Sequence, residues 1–272
     1  MESTLSILGI SFVAGVVGAV LGVGGGIIIV PALTLLLGVP IHIAIGSSIT
    51  AVIATSSAAT TSYLRQGYVN VRLGLFLEVS TIAGAVLGGF AAVSMRPDVL
   101  QALFAIILLY AAIIMALRTQ RRDVVPQEAT TEVWLTESFL EPTTGQEVVY
   151  TPKRTSFGLA GSVFAGAISG MLGVGGGIIK VPLMTAVMSV PVRAAMATSA
   201  FMIGLTGAGS AFIYYFHGFV VPGIAGPTAL GILVGARVGT RLAQFVKPHI
   251  LTILFAILLF ISAVRMLLEV IK

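Results

Sequence analysis

The sequence predicts an all-α polytopic membrane protein built from two copies of one transmembrane repeat. Three observations predict this class: an apolar composition, several long apolar runs and an internal duplication. Hydrophobic residues make up 57% of the 272 positions and charged residues only 9%, whereas a soluble domain carries about 25% charged residues. So few charges do not cover a water-facing surface, and most of the surface is therefore expected to face the lipid bilayer.

Several apolar runs are long enough to cross a hydrocarbon core, which needs about 20 helical residues. Clear examples are residues 41–64, 73–93, 99–117 and 250–268. They are apolar on every face and lack the alternation of about ten residues that is typical of membrane β-strands. The runs therefore predict helices. The first residues lack the positive region of a cleaved signal peptide, so the first apolar stretch is expected to stay in the membrane.

One segment occurs twice, as LGVGGGIIIVP at 21–31 and as LGVGGGIIKVP at 172–182. The same offset of 151 positions relates further glycine, proline, serine and tyrosine positions without a gap. Matched pairs are Ser48 with Ser199, Tyr63 with Tyr214, Gly84 with Gly235, and Gly88 with Gly239. Self-similarity in one register predicts a duplicated fold. We interpret 1–118 and 155–272 as the two transmembrane repeats and 119–154 as the linker between them.

The linker is rich in charged residues and is not expected to enter lipid. Polar and apolar residues alternate over 132–140, and a second short apolar run, 146–150, follows the turn sequence Pro-Thr-Thr-Gly at 142–145. This pattern predicts a small β-hairpin outside the membrane. The alternative is a disordered linker.

The sequence GVGGG interrupts the first apolar segment of each repeat, at 22–26 and 173–177. Each glycine destabilises a helix by about 1 kcal/mol relative to alanine and permits left-handed turns. Non-helical backbone is tolerated at membrane depth only where protein or a wet cavity covers it. Each repeat is therefore predicted to be a glycine-broken re-entrant helical hairpin followed by three transmembrane helices.

The positive charges predict the orientation in the cell (plasma or inner) membrane. Lys and Arg flank the central linker, which places it in the cytoplasm. Arg193, Arg241 and Lys247 also lie in the cytoplasm if the two repeats are inverted, with both termini outside. Arg265 and Lys272 argue against this orientation. The net charge of +5 is explained by membrane anchoring, and nucleic-acid binding is not expected.

Inverted repeats bring the two glycine breaks together near the bilayer midplane, where secondary transporters bind their substrates. The short helices that follow the breaks present free N–H groups and positive dipole ends, which favour an anion. The candidate binding glycines are Gly22, Gly24, Gly25, Gly26, Gly173, Gly175, Gly176 and Gly177. The alternative is that these glycines only allow close helix packing, which is our interpretation of Gly84, Gly88, Gly235 and Gly239.

Two ionisable residues lie inside predicted membrane segments, where such residues are functional candidates by default. Lys180 replaces Ile29 of the first copy and is expected to complement the bound anion; the alternative is a lysine that snorkels to the membrane edge. Glu78 is a candidate for proton coupling. The alternative is a structural pair with Arg237 or Lys180.

Hydroxyl groups follow the Val-Pro pair of each repeat. Ser47, Ser48, Thr198 and Ser199 are candidates to donate hydrogen bonds to the anion; the alternative is a bond back to the carbonyls of their own helix. The chain has no cysteine, and its three histidines lie at segment ends without acidic neighbours. No metal site and no cofactor are predicted.

The twin motif GxGGGxxxxP, at 22–31 and 173–182, together with the duplication and the polar linker, resembles the sulfite exporter TauE/SafE family of membrane permeases. The resemblance covers both membrane halves and omits about 119–154. It implies a cell-membrane permease for sulfite, organosulfonates or related small anions. The linker is longer than expected for the family, which leaves open a regulatory role or a cytoplasmic partner at 119–154; a homo-oligomer is also left open.

The leading interpretation is a secondary transporter that exports or exchanges a small oxyanion. No nucleotide-binding motif is present, so ATP is not expected to be used directly. A passive anion channel with the same fold is the alternative. An enzyme is not predicted, because the sequence lacks the common hydrolase and metalloprotease motifs. A scaffold whose linker recruits a partner is a further alternative.

Overall fold

The computed structural model describes residues 2–21, 25–117, 133–141, 145–242 and 248–271. The first half contains α1 (Glu2–Leu21), α2 (Gly26–Leu37), α3 (Ile41–Arg65), α4 (Val71–Ser94) and α5 (Pro97–Leu117). The second half contains α6 (Thr155–Leu172), α7 (Gly177–Pro182), α8 (Val192–Phe216), α9 (Pro222–Leu242) and α10 (Pro248–Ile271). A π-helical turn, Leu183–Val187, continues α7. The predicted helical fold class is confirmed.

Five of the described helices, α3, α4, α5, α6 and α8, are long and apolar enough to cross a membrane. Large apolar side chains lie on their outer surfaces. Val79, Leu87, Phe164 and Phe212 are each more than half exposed. Contiguous apolar surface of this kind is rare on soluble monomers. The chain is thus a multi-pass membrane protein, as predicted.

The predicted β-hairpin is confirmed. Strands β1 (Glu137–Leu140) and β2 (Glu147–Tyr150) pair antiparallel, with Glu137 opposite Tyr150. The first strand begins later than predicted, because Val133–Leu135 forms a 3₁₀ turn. Residues 118–132 and 142–144 of the linker lie outside the described residues.

The hairpin packs on the membrane helices near the α3–α4 connection. Phe139 and Tyr150 are buried in one apolar cluster with Leu73 and Met188. Asn70 caps α4 through the backbone N–H of Leu73, and its amide donates a hydrogen bond to the Leu135 carbonyl. The hairpin thereby joins the start of α4 to the end of the second glycine-broken segment.

Close packing between the halves depends on glycines. Helix α1 packs along α9, and α4 packs along α6. A Cβ atom at Gly84 or Gly88 would overlap backbone oxygens of α6, and one at Gly235 or Gly239 would overlap backbone oxygens of α1. Small residues allow helix backbones to approach closely in membranes. The packing interpretation of these four glycines is confirmed.

The directions of the packed helices define two sides of the protein. Helices α3 and α8 run antiparallel, because Ser56 bonds the Ala200 carbonyl near one end while Gly46 contacts Phe219 near the other. The hairpin side contains β1, β2, the end of α3 and the starts of α4, α6 and α8. The opposite side contains the starts of α1, α3 and α9 and the end of α8.

Candidate functional site

Both glycine breaks contain left-handed backbone. Gly25 has a φ of 70° in the first break, and Gly173, Gly175 and Gly176 have φ of 66°, 80° and 72° in the second. Residues with a Cβ rarely adopt these angles, whereas glycine does so readily. The glycines therefore let each chain segment reverse direction. Gly22 and Gly24 lie outside the described residues.

The two breaks lie against each other inside the protein. The buried Ser48 hydroxyl is 2.9 Å from the Gly173 carbonyl oxygen and 3.2 Å from that of Gly26, so its single proton is shared between both breaks. A Cβ atom added to Gly26 would lie only 3.0 Å from the Gly173 oxygen. This close approach brings together two segments from different halves of the chain.

A cavity of about 620 Å³ reaches both breaks and is bordered by Gly25 and Gly177. Most of its walls come from the second half of α3, the first half of α8 and the second half of α9, and parts of α1 and α7 complete them. These parts of the helices lie toward the hairpin side, where Ser62 and Gln66 are exposed. The polar side chains of the lining are Thr55, Ser56, Thr61, Ser62, Tyr63, Gln66, Ser199 and Arg237. The cavity is thus a vestibule with both apolar and polar side chains in its walls, and it opens toward the hairpin side.

Ser199 is the predicted hydroxyl that lines this cavity. Its side chain is 1% exposed, and its oxygen has no hydrogen-bond partner among the described residues. Its repeat equivalent, Ser48, instead bridges the two breaks. Buried polar groups are nearly always paired, so this unpaired hydroxyl makes Ser199 a candidate for ligand binding.

The other predicted hydroxyls lie away from the cavity. Thr198 accepts a hydrogen bond of 3.0 Å from the backbone N–H of Asn70. Ser47 is buried and does not line the cavity. Thr198 therefore has a structural contact, and Ser199 is the one of the four predicted hydroxyls that lines the cavity.

Lys180 and Glu78 form a buried ion pair joined by a threonine. The Lys180 Nζ lies 2.7 Å from Thr206 Oγ1, and that hydroxyl lies 2.6 Å from Glu78 Oε1. The Lys180 Nζ and Glu78 Oε2 are 3.7 Å apart. Gly177 and Val181, which lie in α7 together with Lys180, border the cavity, but Lys180 does not. Lys180 therefore points toward α4 and α8. Glu78 pairs with Lys180, which is one of the two structural partners that the sequence suggested.

Sequence reasoning gave no binding role to Arg237 and Thr206, although the structure places Arg237 in the cavity and Thr206 in the ion pair. A comparison of the two copies contains a signal for Arg237, because its repeat equivalent is Val86. The equivalent of Thr206 is Thr55, so the threonine carries no such signal.

Membrane-crossing helices around an open vestibule are typical of polytopic membrane transporters. The model of the sulfite exporter TauE/SafE family matches residues 7–266, and the chain belongs to this family. No solved structure matches the chain.

Three similar proteins carry the name probable membrane transporter protein. One from Bacillus subtilis, YunE, is 25% identical and covers 97% of each chain. One from Methanocaldococcus jannaschii is 27% identical over 95% of this chain and 93% of its own length. One from Sinorhizobium sp, ORF9, is 28% identical over 94% and 89%. Together with the family match, these names identify the chain as a membrane transporter.

Proposed function

We propose that the protein is a secondary transporter for a small anion, with sulfite, an organosulfonate or a related oxyanion as cargo. The observation that carries the proposal is the vestibule, which reaches both glycine breaks and contains the Ser199 hydroxyl, a group without a hydrogen-bond partner in the described part of the chain. Among the described residues, the vestibule lining contains no carboxylate. Hydroxyl donors, an arginine and the positive end of α2 beside Gly25 favour an anion over a cation.

We also propose that the hairpin side is cytoplasmic and that the two halves, 1–118 and 155–272, are inverted repeats. Arg65, Arg72 and Arg193 lie on the hairpin side, in agreement with the positive-inside rule. On the opposite side, Arg96 is paired with Asp98. In this orientation both termini lie outside, and the vestibule receives its anion from the cytoplasm, as an exporter requires.

The Glu78–Thr206–Lys180 group is a candidate for coupling transport to protons. A carboxylate and an ammonium held together at membrane depth frequently belong to proton pathways. The passive channel remains the alternative function, and saturation separates the two: a transporter that alternates between states saturates with anion, whereas an open channel conducts at much higher rates.

Flux of sulfite and sulfoacetate through liposomes containing the purified protein tests the proposal. We expect saturable flux in the unmodified chain. Ser199→Ala should raise the KM about tenfold, because one hydrogen bond to an anion contributes about 1.5–3 kcal/mol. Gly175→Leu should abolish flux, because leucine rarely adopts the φ of 80° at this position.

Ser162→Ala is the matched control. Ser162 is also buried and has no hydrogen-bond partner among the described residues, but it does not line the vestibule. Its flux should equal that of the unmodified chain. Unsaturable flux would favour the channel, and unchanged flux in both Ser199→Ala and Gly175→Leu would contradict the site.

A further inference from the structure

Arg237 is the charged side chain among the described residues that line the vestibule. Ile232, Leu233, Ala236 and Arg237 all border it. Their spacing of one, four and five positions places them on one stripe of α9. Arg237 thus belongs to the wall of the vestibule, on the stretch of α9 nearest the hairpin side.

The duplicated fold does not need a charge at this position. The repeat equivalent of Arg237 is Val86, which occupies the same place in α4. Lys180, another cation whose repeat equivalent is uncharged, contacts Glu78 and Thr206 and does not line the vestibule.

We propose that Arg237 selects the anion by binding two of its oxygens in the vestibule, before the anion reaches the glycine breaks. This inference rests on the proposed function and names its charge-selecting residue. A guanidinium presents two parallel N–H donors that fit oxyanions, which a single ammonium or an amide does not reproduce. Arg237 therefore favours sulfite and sulfonate groups over spherical anions such as chloride.

Liposome flux of sulfite, with chloride as competitor, tests Arg237→Gln and Arg237→Lys. We expect the KM for sulfite to rise at least about tenfold in Arg237→Gln. Arg237→Lys should still transport sulfite, but chloride should inhibit its sulfite flux more strongly than it inhibits that of the unmodified chain. Arg193→Gln is the matched control, because Arg193 lies on the same side in contact with Glu141 and outside the vestibule.

An unchanged KM and an unchanged preference over chloride in a folded, monodisperse Arg237→Gln would overturn the proposal. If the unmodified chain moves neither sulfite nor sulfoacetate, the proposed function fails. If the unmodified chain moves these anions and the Arg237 variants transport them equally well, the proposed function stands and the role of Arg237 fails.

A second inference rests on a different observation, the unequal surroundings of two repeat-equivalent tyrosines. Tyr63 borders the vestibule. Tyr214 is completely buried, and its hydroxyl donates a 2.9 Å hydrogen bond to the Met171 carbonyl in α6. The two tyrosines lie near the ends of α3 and α8, which are equivalent helices of the two repeats.

The same inequality holds at neighbouring pairs. Ala59 borders the vestibule, whereas its equivalent, Ser210, is 1% exposed. Ser62 is exposed, whereas its equivalent, Ile213, is buried. The positions that form an open vestibule toward the hairpin side are therefore packed together toward the opposite side.

We infer that Tyr214 is a gate that closes the opposite side, and that transport exchanges the roles of the two tyrosines. In the alternate state Tyr63 donates to the Val20 carbonyl, the repeat equivalent of Met171, and Tyr214 leaves its acceptor. Repeats that exchange conformations around a central site produce alternating access. The hydrogen bond at Tyr214 stabilises only the state open to the hairpin side, so its loss shifts the population toward the state open to the opposite side.

The natural absence of cysteine permits a direct test with maleimide labelling of Ala59→Cys and Ser210→Cys. In the unmodified background the Ala59→Cys thiol should react fast and the Ser210→Cys thiol slowly. Adding Tyr214→Phe should raise the rate of the Ser210→Cys thiol about fivefold, since one hydrogen bond contributes about 1 kcal/mol. Adding Tyr63→Phe should lower that rate.

Tyr215→Phe is the control, because Tyr215 is exposed on the outer surface next to the gate. It should leave both labelling rates unchanged. Equal rates for the Ser210→Cys thiol with and without Tyr214→Phe would overturn the gate, and so would an effect of the same size in Tyr215→Phe.

Discussion

Replacing Lys180 by methionine is expected to lower the free energy of unfolding by about 3–5 kcal/mol. The Lys180 and Glu78 side chains are only 1% and 3% exposed, so removal of the ammonium leaves a carboxylate buried without its cation. The Thr206 hydroxyl alone does not neutralise that charge. Unfolding of the purified protein in detergent, followed by circular dichroism, measures the loss.

The double variant Glu78→Gln with Lys180→Met is the matched control. It removes both charges, and replacement of a whole buried pair is commonly close to neutral. We expect it to recover most of the lost stability, which a double-mutant cycle expresses as the coupling between the two residues. A single variant as stable as the unmodified chain, or a double variant as unstable as the single one, would contradict the buried pair.

Gly88→Ala and Gly239→Ala are expected to destabilise the protein by about 1–3 kcal/mol each. The added Cβ would overlap the Ala167 carbonyl oxygen in the first case and the Val16 carbonyl oxygen in the second. These are backbone atoms, so the helices have to separate instead of one side chain moving. The two losses should be similar, because the two positions are repeat equivalents with equivalent neighbours.

Gly9→Ala is the control for these two substitutions. Gly9 lies in α1 with open space around the position of a Cβ atom. Alanine there should be neutral or stabilise the helix by up to about 1 kcal/mol. Thermal unfolding of the three variants gives the comparison. Gly88→Ala as stable as Gly9→Ala would mean that α4 and α6 are not packed through these glycines.

Glycine and proline positions made much of the fold predictable from sequence. The glycine run at 173–177 predicts a helix break, because glycines destabilise the helix at the positions where they occur. In the structure three of these glycines have left-handed backbone. Gly84 and Gly235 predict close packing because they recur in one register. Such effects depend on backbone conformation, which a single residue type determines in large part.

The contacts within the site were less predictable, because they depend on which side of a helix faces which neighbour. Lys180 was expected to face the anion, yet its helix presents Gly177 and Val181 to the vestibule and directs Lys180 toward Glu78 and Thr206. Those partners lie far away in the sequence, and no spacing predicts their approach.

The vestibule itself was also not predictable, since it is a space left between α3, α8 and α9 on one side only. The two repeat-equivalent tyrosines are packed differently, because Tyr63 borders the vestibule whereas Tyr214 is buried, and no sequence pattern predicts which of the two positions is open. The equivalence of Arg237 with Val86 was visible in the sequence, and positions charged in one copy alone are useful candidates in duplicated membrane proteins.

A density map of the protein with bound sulfite shows where the anion lies. We expect density for one anion at the inner end of the vestibule, beside Gly25 and Gly177 and within hydrogen-bond distance of the Ser199 hydroxyl. The same density should be lost in Ser199→Ala under equal sulfite concentration. Sulfite bound only at the outer surfaces, with water alone next to both glycine segments, would contradict it.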